Sequence, residues 1–208
     1  MLEDEIHGNL YQKLPITLEK GLGSHVWDVD GNEYIDCMGA YGVAITGYRN
    51  QRVNNAIKNQ IDKIISVHSS FYNKTRENFL ETISHVAPKN LSNAYLGNSG
   101  TEAIEAAIKF AVLTTGKHEF ISAKMGYHGK TTGALGLTNT LPKYKKPFNE
   151  VLINAKSFSY NDIESLKEAI TDNTAAIFLE VIQGESGIRL GQKEFFKSVQ
   201  KFFHVYLP

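Results

Sequence analysis

From residue 93 onward, short apolar runs alternate with amphipathic helical stretches, and this alternation constrains the fold more than any other feature of the chain. Runs suited to strands fall at 93–96, 118–123, 151–153 and 175–179. Between and after them the spacing predicts a helix from Thr101, a short helix near Thr131, and helices over 162–170 and 195–203. A strand–helix succession of this kind reads as an α/β fold, a mostly parallel sheet with helices on its faces. Upstream, residues 26–36 read as a hairpin, with Asp30-Gly31 as the turn between two alternating strands. A glycine-punctuated loop over 39–47 follows, then helices over 53–65 and 77–86, the second closed by Pro88.

Ligands of such sheets sit beyond the carboxyl ends of the strands. Three loops expected on that edge carry unusual residues: 97–101, 124–130 and 180–187. The first lies within Leu96-Gly97-Asn98-Ser99-Gly100-Thr101-Glu102-Ala103. Gly97 and Gly100 allow tight turns and close approach of a ligand. Ser99, with Glu102 three residues on, is a capping-box pattern that opens a helix. The N–H groups and the positive dipole end of that helix converge near Ser99, Gly100 and Thr101, which favours an anion such as a phosphate. By local chemistry alone an ordinary strand–loop–helix junction fits the same residues. Neither the dinucleotide fingerprint nor the P-loop pattern is matched.

With 22 basic and 22 acidic residues the formal net charge is zero, so nothing points to nucleic acid or an anionic membrane as a partner. Cys37 is the single cysteine, which excludes an internal disulfide framework. Met1-Leu2-Glu3-Asp4-Glu5-Ile6 is acidic and lacks a signal-peptide core, and no run is long enough to span a bilayer. A soluble protein of a reducing compartment, most simply the cytoplasm, is the expectation. No metal-ligand spacing stands out.

Taken in order, the segments resemble the class-III, ornithine-type aminotransferases. Trp27-Asp28-Val29-Asp30-Gly31-Asn32-Glu33-Tyr34-Ile35-Asp36 resembles the family's N-terminal hairpin, and 97–103 its phosphate loop. Tyr127-His128-Gly129-Lys130-Thr131-Thr132-Gly133 is similar to the aromatic-His-Gly-basic-Thr loop. Glu180-Val181-Ile182-Gln183-Gly184-Glu185-Ser186-Gly187 resembles the Glu-Pro-hydrophobic-Gln-Gly-Glu segment. Two departures stand out: Lys130 replaces the commonest Arg, and Tyr48-Arg49-Asn50-Gln51 replaces a Gly-His-x-His-Pro run.

The resemblance implies pyridoxal 5′-phosphate as cofactor, within the large domain of a fold-type I enzyme. The division expected is an N-terminal segment over 1–46, part of the family's small domain, and the start of the large domain over 47–208. Ser99, Gly100 and Thr101 are expected to hold the cofactor phosphate, Tyr127 to stack on its ring, and His128 to lie beside it. Tyr41, Lys130 and Glu185 are the expected substrate-binding residues. As a lysine, Lys130 pairs with a carboxylate without the bidentate fork of an arginine. The implied reaction moves an ω-amino group from acetylornithine, or a related acylated or carrier-linked diamino acid, to 2-oxoglutarate, with ornithine or 4-aminobutyrate as alternative donors. That places the intact protein in arginine or lysine biosynthesis, as a homodimer. The family's Schiff-base lysine and the aspartate on the pyridine nitrogen follow the 180–187 segment and have no counterpart in the chain. No catalytic residue is therefore expected in it, and the chain alone is expected to be inactive. A non-catalytic fragment that binds cofactor or a partner is the alternative.

Overall fold

The structure is a computed structural model in which residues 2–7 and 13–206 are described. Its residues group into two compact units, Met1–Val86 and Ala87–Pro208.

The first unit holds helix α1 (Leu2–Ile6), strands β1 (Leu18–Leu22), β2 (His25–Asp28) and β3 (Glu33–Ile35), and helices α2 (Gln51–Ile61) and α3 (Lys74–Val86). The strands form an antiparallel meander in the order β1-β2-β3. The β2–β3 turn is built around Asp28, buried to 6% exposure, whose carboxylate accepts from Asp30 N, Asn32 N, Asn32 Nδ2 and the Tyr34 hydroxyl. These donors, the Asn32 side chain first, hold the Asp28 pKa below the usual carboxylate range. Gly31 takes the positive φ of 86° that the turn needs. The departure at residues 48–51 has a local explanation: the Tyr48 hydroxyl donates to Asp36 at 2.7 Å, and Asn50 caps α2 through Arg52 N and Val53 N.

The second unit is an α/β sandwich. Its elements are α4 (Gly100–Thr115), β4 (Glu119–Ala123), α5 (Thr132–Leu137), α6 (Pro142–Lys145), β5 (Ala155–Phe158), α7 (Ile163–Ala169), β6 (Thr174–Phe178), the short pair β7 (Ile182–Gln183) and β8 (Arg189–Leu190), and α8 (Lys193–Tyr206). The parallel sheet runs β5-β4-β6, with Ile121 opposite Lys156 on one side and Ile177 on the other. Strand alternation sorts the core into two layers. Phe120 and Phe178 pack with Ile108 of α4 and Leu137 of α5 on one face. Ile121, Ala123 and Phe158 pack with Leu166 of α7 and with Phe195 and Val199 of α8 on the other. The parallel sheet with flanking helices is thus as the sequence predicts.

Two expected strands are corrected. Residues 93–96 pair with no described segment; a strand exists only through its ladder, and Tyr95, 58% exposed, instead meets the edge of Phe110 on α4. The apolar run 151–153 is also not a strand. Val151 lies in a turn closed on the Phe148 carbonyl, Ile153 packs into the α4–α5 layer, and the register with β4 begins at Ala155.

Candidate functional site

All three parallel strands point their carboxyl ends to one edge, and the loops there are tied together. Lys124 N donates to the Phe158 carbonyl, and the fully buried Gln183 sends Nε2 to the Lys124 carbonyl at 2.9 Å. The capping box at the start of α4 forms as expected. Ser99 accepts from Glu102 N, and Glu102 Oε2 accepts from the Ser99 hydroxyl and from Asn98 N. These bonds, the Ser99 hydroxyl first, lower the Glu102 pKa. No acceptor among the described residues reaches the N–H groups of Gly100 and Thr101, while the Ser99 N–H turns back to the Glu102 carboxylate. A side chain at Gly100 would enter open space. The first turn therefore presents two backbone donors and a positive dipole end.

A hydroxyl relay joins this turn to the second loop. Thr131 donates to Glu105 Oε1 at 2.5 Å, so its single proton is committed there, and Thr101 is the donor in the 2.7 Å contact between the two threonines. The same Glu105 oxygen accepts from Gly133 N and Ala134 N. A carboxylate on α4 thus caps α5, an anion at a helix N-terminus. The sequence marked Thr131 as a helix start and as part of the 127–133 motif, and gave Glu105 no role.

Tyr127 is half-buried, its N–H donating to Glu180 Oε2 at 2.9 Å. Burial raises the Glu180 pKa, opposed by the N–H groups of Tyr127 and Gly184 and reinforced by Glu185. His128 lies against Phe178, ring edge to face at 6.1 Å, its backbone N–H donating to Thr138 Oγ1. Its Nε2 is buried without a partner, as are Gln183 Oε1 and Ser186 Oγ.

Desolvation pushes the His128 pKa down from the usual 6.5 to about 4. A histidine depressed in the fold is neutral there but takes a proton once unfolded, so folding stability falls as pH drops from 6.5 and the loss is complete below about 4. The drop amounts to about 3 kcal/mol at most. Urea unfolding of wild type and His128→Gln at neutral pH and near pH 4 is expected to show this extra acid sensitivity in the wild type alone; parallel losses would disprove it.

Each of the expected substrate residues has its own local surroundings. The Lys130 ammonium lies 5.6 Å from the centre of the Tyr144 ring on α6, as does that of Lys143, a cation–π arrangement. Glu185 is exposed in the turn between β7 and β8. Tyr41 belongs to the first unit, 83% exposed, in a 3₁₀ turn where it takes φ 54°. Among the described residues, no group of three or more His, Cys, Asp or Glu side chains could hold a metal ion. No helix among them is long and apolar enough to cross a membrane.

The family model described as aminotransferase class-III matches residues 7–205. An acetylornithine aminotransferase from Methanopyrus kandleri is 36% identical over 96% of the chain and 51% of its own length. A putative [LysW]-aminoadipate semialdehyde/glutamate semialdehyde transaminase from Pyrococcus horikoshii is 42% identical over 92% of the chain and 51% of its own length. Among solved structures, the ornithine aminotransferase of Toxoplasma gondii, described with partial occupancy of PLP at its active site, superposes with a TM-score of 0.87 at 25% identity. It covers 98% of the chain and 49% of its own. The chain spans about half the length of these relatives.

Proposed function

Because the chain belongs to the class-III aminotransferases, we propose that the first turn of α4 holds the phosphate of pyridoxal 5′-phosphate and that Tyr127 stacks on its ring. The observation that carries the reading is the pair of N–H groups at Gly100 and Thr101 without an acceptor among the described residues, beside the Ser99 hydroxyl and tied through Thr131 to the loop that bears Tyr127. The unpartnered buried atoms of His128, Gln183 and Ser186 fit a polar cofactor over the same sheet edge. When bound, the cofactor supplies an electron sink for bonds at a substrate amine carbon. What these residues do is narrower: the turn anchors an anion, the aromatic face excludes water from one side of a ring, and neutral His128 adds no positive charge.

The intact enzyme is read as moving an ω-amino group from acetylornithine or a related acylated or carrier-linked diamino acid to 2-oxoglutarate. The names of the relatives support this donor class. Ornithine and 4-aminobutyrate are the alternative donors. Lys130, Tyr41 and Glu185 are the proposed contacts to substrate, His128 is proposed beside the cofactor, and a second copy of the chain is the proposed partner. Residues 1–46 are assigned to the small domain and 47–208 to the large one.

Gly100→Asp tests the phosphate cradle directly. A side chain at Gly100 meets nothing, and an acidic residue at a helix N-terminus favours the fold. The variant is expected to fold as wild type and to lose at least about tenfold in affinity for pyridoxal phosphate by equilibrium dialysis. Pyridoxal, which lacks the phosphate, is expected to bind wild type more weakly by a similar factor. An aspartate at position 100 that leaves binding unchanged would refute the cradle.

A further inference from the structure

The direction of the Tyr127 ring depends on the peptide plane between Gly126 and Tyr127, and both polar ends of that plane are held. The Gly126 carbonyl accepts from Asn139 N at 2.7 Å, and the Tyr127 N–H donates to Glu180 Oε2 at 2.9 Å. Neither partner lies on the loop: Asn139 follows α5 and Glu180 follows β6. Asn139 is anchored in turn, its Nδ2 donating to Ser122 Oγ at 2.8 Å and its Oδ1 accepting from Lys145 Nζ at 3.2 Å. On the other side of Gly126, Met125 takes φ 65°, a conformation that side-chain-bearing residues rarely adopt and that persists only when the surroundings impose it. The fit at Gly126 is tight: a Cβ there would lie 3.0 Å from the Ala123 carbonyl oxygen and 3.3 Å from both Glu180 Oε2 and His128 Nε2. Glu180 is partly buried, and burial works against its charged form. The fold thus keeps a carboxyl in an unfavourable place, where it meets the Tyr127 N–H.

We infer that Glu180 is a positioning residue: it fixes the Gly126–Tyr127 peptide plane, and with it the ring on which the cofactor stacks. The purpose of the ring rests on the pyridoxal phosphate reading above, whereas the clamp is a property of the cofactor-free chain. Charge and reach can be separated by substitution. Glu180→Gln keeps an acceptor oxygen at the same reach without the charge. Glu180→Asp keeps the charge and withdraws the acceptor by one methylene.

Two measurements on the full chain decide the matter: hydrogen exchange of the Tyr127 amide without cofactor, and pyridoxal phosphate affinity by equilibrium dialysis. Glu180→Asp is expected to speed Tyr127 exchange and weaken cofactor binding by about tenfold each, while Glu180→Gln stays within about threefold of wild type in both. The Ile121 and Phe158 amides serve as the folding control and are expected to be unchanged in both variants. Should the shorter acid disturb them, Glu180→Ala supplies the second loss variant. Wild-type exchange at Tyr127 in the loss variant would overturn the inference, and so would equal loosening by Gln and Asp. So would a loosened Tyr127 with undiminished cofactor affinity. A wild-type chain that fails to bind pyridoxal phosphate counts against the proposed function instead, and Tyr127 exchange still decides the clamp.

Discussion

Gly129→Ala is expected to destabilise the second unit by about 4 kcal/mol and to abolish the pyridoxal phosphate binding proposed at the α4 turn. Two independent costs combine. Gly129 sits at φ 134°, open to glycine and strained for any residue with a Cβ, a cost of about 1–3 kcal/mol. The new methyl would also overlap Thr101 Oγ1 and approach Thr101 Cβ to 2.7 Å and Ala134 Cβ to 3.0 Å. Overpacking of that kind costs a further ~1–3 kcal/mol. Thr101 cannot retreat without leaving Thr131, and the Gly129 carbonyl accepts from the Thr138 hydroxyl at 3.0 Å, so the loop is held from behind. Urea unfolding monitored by circular dichroism measures the effect, with Gly100→Ala as the control. That substitution meets open space in a helix and should be neutral or stabilise by up to ~1 kcal/mol. A Gly129→Ala midpoint equal to wild type would mean that the loop yields freely.

Phe158→Ala should cost a similar ~3–5 kcal/mol for a different reason. Phe158 is fully buried at the end of β5, stacked on Phe195 of α8 at 6.1 Å and packed with Ile121, Leu166 and Val199. Its truncation leaves a cavity between sheet and helices that a close-packed interior fills poorly. Its carbonyl also receives the Lys124 N–H, so movement of β5 passes into the loop that carries Tyr127. Phe148→Ala is the contrast: at 52% exposure it should cost no more than about 1 kcal/mol. Equal losses for the two phenylalanines would contradict the layer assignment. Domains are typically stable by only ~5–15 kcal/mol, so Gly129→Ala or Phe158→Ala alone would bring the unit near unfolding.

The legible parts of the site were local ones. Ser99 and Glu102 lie three residues apart, and the Asp30-Gly31 turn needs only its immediate neighbours, so pattern and geometry agree. The illegible parts depend on partners far along the chain. Residues 93–96 have strand-like composition but no ladder, and composition carries no information about a partner. At 151–153 the apolar signal was real, since Ile153 enters the core, but burial was mistaken for strand pairing. Glu105 was hidden by its helix: on α4 it reads as one polar residue of an amphipathic stripe, and only the approach of α5 reveals its three donors. Glu180 was quoted within a motif without a role, because the Tyr127 N–H it accepts comes from a loop 53 positions away. The Lys130 ammonium lies over the Tyr144 ring of α6, a neighbour that its place in the motif did not show.

The two sheets differ in how far apart their partners lie in sequence, and this bears on how the chain acquires its structure. The β2–β3 pairing joins Val26 to Tyr34 through a turn that Asp28 organises by itself, a contact reachable within microseconds of chain collapse. The parallel sheet pairs Phe120 with Ala176, and that contact closes a stretch of chain that includes α5, α6, β5 and α7. Closing so long a loop carries its entropy cost before any pairing rewards it, which slows the search. During synthesis the meander is therefore expected to order while the parallel sheet is still open, so any ligand of the α4 turn meets a finished site only late.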